Sequence, residues 1–146
     1  MLGAGLAVTS LADIGTERTR LSPAEIASLV NGGAGPGTSG IEGIRTTVLA
    51  GDPSRPGPYT LEIRVPPHTR IAGHTHRDSR SAVVVSGRWY FGYGAALSDD
   101  RLKLLTAGSF YTEPAGDAHF AMTGDDPAVV YVTGTGPTDT HFTEAH

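Results

Sequence analysis

Three histidines stand out because their spacing could let them share one metal ion. His74 and His76 are separated by one residue, and on a β-strand this spacing directs both imidazoles to the same face. His119 follows a run of strand and tight-turn residues that includes Pro114-Ala115-Gly116. Such a turn would fix the direction of His119 at the start of a returning strand. The chain contains no cysteine, so any bound metal must be held by nitrogen and oxygen atoms.

The residues around these histidines have the pattern of short β-strands. The clearest is Tyr59–Val65, in which apolar and polar side chains alternate. Eight further β-rich runs are separated by turn residues: Ile44–Leu49, Ala72–His76, Ser81–Val85, Arg88–Gly92, Leu102–Leu105, Ser109–Thr112, His119–Thr123 and Val129–Thr133. Many short strands at this spacing, with almost no helix signal after residue 31, predict a single all-β domain over residues 41–146, built as a sandwich or barrel.

The first forty residues have a different character and predict an N-terminal arm. Ser22-Pro23-Ala24-Glu25 is a capping box with proline at the first helical position, and it predicts a short helix at about residues 23–30. The tract Gly32–Gly40 predicts a flexible loop. Met1–Ala12 is apolar and ends in small residues, but it lacks the positive start of a secretory signal. We therefore expect a cytoplasmic protein, with a periplasmic or secreted location if residues 1–12 are the remnant of a signal peptide.

The stretch Pro67–Thr123 resembles the paired motifs of the cupin superfamily. The first motif is represented by His74, His76, Arg80 and Gly87, and the second by Gly108, Pro114, Gly116 and His119, with Thr123 where asparagine is usual. The agreement of two separated motifs makes the resemblance specific. It implies a cupin jelly-roll β-barrel with a short N-terminal helix, one divalent metal ion held by His74, His76 and His119, and a homodimer formed through an edge strand.

Arg80 occupies the position at which the cupin motif normally has a glutamate ligand. A guanidinium has no lone pair to offer a metal, so the site is similar to that of the three-histidine cupins such as acetylacetone dioxygenase. Acetylacetone dioxygenase has a glutamate six residues before the last histidine, which is the place of Glu113 here. The resemblance implies that Glu113 orients His119 or a bound water, and a direct bond to the metal stays open. For Arg80, substrate binding and a salt bridge to Asp78 or Glu113 are both open.

The metal and the reaction are less well defined than the ligands. Imidazole suits iron, zinc, copper and nickel, so the ligands do not select the metal. Fe(II) is favoured by the resemblance, and Zn, Ni or Mn are possible. The leading hypothesis is a mononuclear non-heme Fe(II) dioxygenase that acts on a small enolisable or anionic metabolite. In this hypothesis Arg80 binds an anionic group of the substrate. Glu113 either orients His119 or a bound water, or accepts a proton during the reaction. The alternatives are a redox-silent lyase, isomerase or polyketide cyclase with Zn, Ni or Mn, and a non-catalytic metal-dependent binding or sensing module.

Charge and composition limit the partners. The net charge is −4 and the 11 Lys and Arg residues are scattered, which argues against nucleic acid. No apolar run approaches the roughly 18 residues of a membrane span. The expected partners are a small-molecule substrate and a second copy of the chain. Aromatic residues near the motifs are expected in the core or an interface, and Tyr111 could line the pocket only if it shares a strand face with Glu113. We expect His68, His141 and His146 to lie at the surface.

Overall fold

The computed structural model describes residues 17–33, 35 and 37–146, and within them it contains one short helix and nine strands. The possible signal remnant at Met1–Ala12 lies outside the described residues. The elements are α1 (Pro23–Ala27), β1 (Arg45–Ala50), β2 (Gly57–Val65), β3 (Arg70–Thr75), β4 (Arg80–Tyr93), β5 (Lys103–Thr106), β6 (Phe110–Glu113), β7 (His119–Met122), β8 (Ala128–Gly136) and β9 (His141–Phe142), with a 3₁₀ turn at Asp99–Arg101. The prediction of an all-β domain is confirmed.

The strands form two antiparallel sheets that share β4. One sheet has the order β1-β2-β8-β4-β6, and the other has the order β5-β4-β7-β3-β9. The core contains inward-facing apolar side chains of both sheets, among them Val84 and Val132 of the first and Phe91 of the second. This is the layered arrangement in which each sheet buries one face against the other.

The strand β4 corrects one prediction. The sequence predicts two strands separated by a turn at Ser86-Gly87, whereas the structure has one strand of 14 residues. The pairing of β4 with β8 shifts between Val84 and Ser86, which marks a bulge. Gly87 adopts φ +83°, and a Cβ built on it would lie 1.9 Å from the carbonyl oxygen of Pro127. The Ser-Gly pair that resembles a turn therefore bends a continuous strand from one sheet into the other.

The N-terminal segment consists of the short helix α1 and a following stretch that contacts the barrel. The capping box of α1 is present, since the side chains of Ser22 and Glu25 each bond the other's backbone. The helix ends at Ala27, three residues earlier than predicted, and Ser28 is its C-cap: the Ser28 hydroxyl donates to the Glu25 carbonyl at 2.8 Å, a local bond that competes with continuation of the helix. Gly32 pairs with β1 through a two-way backbone bridge, and Gly37 is buried. The division of the chain at residue 40 stays a prediction.

In the described part of the chain, no helix has the length and apolar character needed to cross a lipid bilayer.

Candidate metal site

The three predicted histidines lie close together on, or directly after, two neighbouring strands. His74 is near the end of β3, His76 directly follows that strand, and His119 is the first residue of β7. His74 and His119 are partners in the antiparallel register of β3 and β7. All three are buried, and one ring nitrogen from each lies within 4.8 Å of the others. The structure therefore brings together the histidines that the motif spacing selects.

The orientation of each imidazole is set by a backbone carbonyl. The contacts are from His74 Nδ1 to Ala72 O at 2.7 Å, from His76 Nδ1 to Asp139 O at 2.6 Å, and from His119 Nδ1 to Asp117 O at 3.3 Å. A carbonyl only accepts, so each Nδ1 carries the proton and each Nε2 keeps its lone pair. Among the described residues, Nε2 of His76 and Nε2 of His119 are buried without a hydrogen-bond partner. Buried lone pairs of this kind fit a metal ion, and the Nδ1 contacts are those that metal-binding histidines make.

Glu113 contributes a carboxylate oxygen to the same place. Its Oε2 lies 3.5 Å from Nε2 of His76 and 3.5 Å from Nε2 of His119. Adjacent tetrahedral ligands bound about 2.1 Å from one ion are about 3.4 Å apart. The separation of Glu113 from the two imidazoles is therefore that of neighbouring ligands.

The sequence left two roles open for Arg80, a salt bridge and substrate binding, and the structure shows the salt bridge. Arg80 is the first residue of β4 and faces Glu113, the last residue of β6, in the strand register. Its Nε donates to Glu113 Oε2 at 2.8 Å, and its Nη1 donates to the Gly37 carbonyl at 2.9 Å. Asp78 instead accepts from the hydroxyls of Tyr59 and Thr138. The salt bridge of Arg80 is thus with Glu113. The binding of an anionic substrate group by Arg80 stays a prediction.

The electrostatics of the site favour the forms that bind metals. Burial lowers the pKa of His74 to about 3 and that of His76 to about 4, and it also lowers the pKa of His119. Burial alone would raise the pKa of Glu113, but the Arg80 guanidinium and the three imidazoles outweigh it and lower this pKa to about 2. At neutral pH the site holds three neutral imidazoles and one ionised carboxylate, which are the protonation states of metal ligands.

The candidate site forms the polar wall of a small cavity between the two sheets. The space open to the centres of water molecules is about 40 Å³. The other walls are mainly apolar: Ile44, Ile63, Ile71, Trp89, Phe91, Ala121, Val130 and Val132. Tyr111 also lines this cavity, so it does share the inward face of β6 with Glu113.

Some cavity residues were not predicted from the sequence. Gly37–Ser39 line the cavity, but a glycine-rich tract carries no signal for that position. Trp89 and Phe91 alternate along β4, and this parity could have placed both on one inward face. Phe91 stacks on His119 with ring centroids 5.6 Å apart, so it helps to fix the position of that imidazole.

The remaining motif residues and histidines have other surroundings. Thr123, in the asparagine slot, donates to the Pro66 carbonyl at 2.7 Å and accepts from the Thr69 amide at 3.0 Å. It therefore ties the β2–β3 connection to the segment after β7. His68 and His141 have side chains that are 71% and 77% exposed, as the sequence predicts.

Comparisons with known proteins agree with this fold. No family model matches the chain. A germin-like protein 5-1 from Oryza sativa subsp. japonica is 33% identical over 81 residues, which are 53% of this chain and 35% of the relative. The chain therefore spans about a third of the length of that relative.

Three solved structures are similar over most of the chain. An RmlC-like cupin from Shewanella frigidimarina has 19% identity and a TM-score of 0.58, with 75% of this chain and 85% of that chain covered. The polyketide cyclase RemF from Streptomyces resistomycificus has 17% identity and a TM-score of 0.65, with 86% and 87% covered. A sugar phosphate isomerase of the cupin superfamily from Silicibacter pomeroyi has 17% identity and a TM-score of 0.62, with 87% and 83% covered.

These likenesses show that the chain has the cupin fold, the jelly-roll barrel that the sequence predicts. Within that fold, the chain has a buried three-histidine group suited to a metal ion.

Proposed function

We propose that this protein is a mononuclear metalloenzyme that acts on a small enolisable or anionic metabolite, with Fe(II) and dioxygen as the leading chemistry. His74, His76 and His119 bind the metal through Nε2, and Glu113 supplies a carboxylate oxygen. The observation that carries the proposal is the approach of Glu113 Oε2 to within 3.5 Å of two buried imidazole nitrogens that have no partner among the described residues.

The ligand set defines the chemistry that is available. A divalent ion held by His74, His76, His119 and Glu113 would supply a Lewis acid for a substrate oxygen, and Fe(II) would also supply redox chemistry with dioxygen. A single carboxylate leaves the site with net positive charge, and Arg80 keeps Glu113 ionised and in place. Positive charge of this kind favours an enolate or a carboxylate as the substrate group that enters the site.

The cavity limits the size of the substrate. The space open to water centres is about 40 Å³, and a cavity needs roughly 10–15 Å³ of this measure to hold one water. Such a space holds a few waters, so the substrate must be small. The apolar walls exclude bulk water, which strengthens the electrostatic interactions at the polar wall.

A redox-silent reaction is the second candidate. Zn, Ni and Mn accept the same imidazole and carboxylate ligands, and the protein would then be a lyase or an isomerase. Two of the similar solved structures, a polyketide cyclase and a sugar phosphate isomerase, support this class by their fold. The small cavity favours a lyase or isomerase of a small metabolite over a polyketide cyclase.

Elemental analysis followed by oxygen uptake tests the proposal. The protein is purified without added metal, loaded anaerobically with Fe(II), and assayed with a panel of small β-dicarbonyl compounds in an oxygen electrode. We expect one metal ion per chain and substrate-dependent oxygen uptake. The His74→Ala, His119→Ala double variant should lose both, whereas a His68→Ala, His141→Ala variant should keep both.

Each other outcome has a definite reading. Bound zinc with no oxygen uptake after iron loading would exclude the dioxygenase in favour of the redox-silent class. Stoichiometric metal in the His74→Ala, His119→Ala variant would exclude the metal site itself. Bound metal with no turnover of any dicarbonyl, phosphorylated sugar or β-substituted acid would contradict the proposed enzyme and favour the non-catalytic binding module.

A further inference from the structure

Tyr111 and Trp89 form a buried polar pair in the wall of the metal cavity. The two side chains line the cavity and are only 8% and 4% exposed. Trp89 Nε1 donates to the Tyr111 hydroxyl oxygen at 3.2 Å. An indole N–H is a donor only, so the hydroxyl accepts in this bond and keeps its own proton. Among the described residues, no side-chain or backbone group accepts that proton in a hydrogen bond.

The position of Tyr111 relates this proton to the metal site. Tyr111 and Glu113 are two residues apart on β6 and both are buried on its inward face. Positions two apart on a strand are separated by about 7 Å along the strand. The Tyr111 ring packs on Phe91 with centroids 4.2 Å apart, and Phe91 in turn stacks on His119. The ring is therefore held beside the site, and Tyr111 lines the same cavity as Glu113 and the three histidines.

The surroundings of Trp89 and Tyr111 are largely apolar, which is unfavourable for a hydroxyl group that donates to no acceptor. Apolar side chains such as Ile44, Ile63 and Val130 form much of the cavity wall. A buried donor in such a place is destabilising unless an acceptor is supplied. A molecule bound in the cavity can supply that acceptor through one of its oxygen atoms.

We propose that the Tyr111 hydroxyl donates a hydrogen bond to a second oxygen of the substrate, one that lies a few bonds from the oxygen held at the metal site. Trp89 acts as a positioning residue because its N–H occupies a lone pair of the hydroxyl oxygen and directs the proton into the cavity. The pair thereby selects small molecules with two oxygen functions over molecules with one. This inference rests on the proposed metal site and names the substrate feature that the site recognises.

Two probes that differ in one oxygen function test the inference. Acetoacetate and butyrate share a four-carbon chain and a carboxylate, and only acetoacetate has a ketone oxygen. Each is titrated into the Co(II)-loaded protein, and binding is followed by the visible d–d absorption of cobalt, which needs no turnover. Tyr111→Phe removes only the hydroxyl, and Tyr93→Phe removes a hydroxyl that bonds to the Thr112 carbonyl instead.

We expect Tyr111→Phe to bind acetoacetate about tenfold more weakly than the unaltered protein, the loss expected from one hydrogen bond. Its butyrate affinity and its cobalt spectrum without ligand should stay unchanged, and Tyr93→Phe should match the unaltered protein for both probes. Trp89→Phe should weaken acetoacetate binding by a smaller factor.

The contrary results separate this inference from the proposed function. If Tyr111→Phe binds acetoacetate as tightly as the unaltered protein, or loses affinity for both probes equally, the hydroxyl does not recognise a second oxygen and the metal site still stands. If the unaltered protein gives no cobalt spectrum, the metal site fails and the inference fails with it.

Discussion

Arg80 and Glu113 face each other across β4 and β6, and their side chains form a buried ion pair with Nε and Oε2 2.8 Å apart. In the cupin motif the carboxylate is expected on β4, at the position that Arg80 occupies here. In this chain the carboxylate comes from the neighbouring strand and the cation holds it toward His76 and His119. The site thus keeps a carboxylate although its usual position carries the opposite charge.

Removal of Arg80 should destabilise the protein. Arg80→Met leaves the Glu113 carboxylate buried without its cation, and loss of one partner of such a pair costs about 3–5 kcal/mol. The free energy of unfolding, measured by urea denaturation of the metal-free protein, should fall by this amount. The Arg80→Met, Glu113→Leu double variant should recover most of the loss because no charge is left buried. An Arg80→Met variant as stable as the unaltered protein would show that the pair does not fix the carboxylate.

Loss of the Glu113 charge should weaken metal binding. Glu113→Gln keeps the shape of the side chain but removes its charge, and we expect metal affinity to fall by more than about 10–100-fold, the loss found when only an outer partner of a ligand is removed. Competition with a chromophoric chelator measures this change. Glu62→Gln is the matched control, because Glu62 is also buried and paired with an arginine, Arg64, but does not line the cavity. Equal affinity in both variants would exclude Glu113 as a ligand.

The stability of the metal-free protein should fall as the pH is lowered from about 6.5 to about 4. A histidine in the unfolded chain has a pKa near 6.5, whereas burial lowers the pKa of His74 to about 3 and that of His76 to about 4. Between these values the unfolded state binds more protons, so the stabilisation is complete above pH 6.5 and is lost as the pH falls through the folded-state pKa values.

The expected slope is up to about 1.4 kcal/mol per pH unit for each such histidine. Urea unfolding with EDTA at pH 7, 6, 5 and 4 measures it. A His68→Gln, His141→Gln variant should give the same slope because both side chains are exposed. A His74→Gln, His76→Gln variant should give a shallower slope. An unchanged slope in this variant would contradict the lowered pKa values of His74 and His76.

The bulge in β4 should not tolerate a side chain at Gly87. Its positive φ is strained for alanine, and the added Cβ would lie 1.9 Å from the Pro127 carbonyl oxygen. We expect Gly87→Ala to lower the free energy of unfolding by more than about 1 kcal/mol, measured by thermal or urea denaturation. At Gly124 the nearest atom to an added Cβ is 3.8 Å away, so Gly124→Ala should have a much smaller effect.

The homodimer implied by the cupin resemblance stays a prediction, and the outer face of the first sheet suggests a variant to test it. Phe110 is 64% exposed and is paired in register with Val83, which is 42% exposed. Light scattering should give twice the mass of the chain, and Phe110→Asp should shift it toward the monomer. Val48→Asp, at a residue 45% exposed on β1, should leave the dimer intact. A monomer before any substitution would reject the prediction.

The sequence predicted the barrel and the three histidines because both are encoded in short-range patterns. Alternation of apolar residues defines strands such as Tyr59–Val65, and the two cupin motifs fix the spacing of the histidines. The bulge at Gly87 was missed because a Ser-Gly pair has the same local signal in a turn and in a bent strand. Only the distant pairing of β4 with β8 distinguishes the two.

The partner of Arg80 also depended on distant pairing. Asp78 is two residues from Arg80 in the chain, whereas Glu113 is 33 residues away and meets it only through the register of β4 and β6. A one-residue change of that register would turn Glu113 out of the barrel. The cavity wall at Gly37–Ser39 could not be predicted for a similar reason, since nothing in a glycine-rich tract specifies what it packs against.

The hydrogen-bond acceptors that orient the three imidazoles are main-chain atoms of Ala72, Asp117 and Asp139. Alanine scanning would therefore not detect the contribution of these carbonyls, because truncating a side chain leaves the backbone carbonyl of that residue in place. A change in the path of the backbone, such as an inserted residue or a proline, would break these hydrogen bonds. The hydrogen bonds that orient the three imidazoles are thus insensitive to side-chain substitutions at the accepting residues, so the side chains at those positions can vary while the imidazoles keep their orientation.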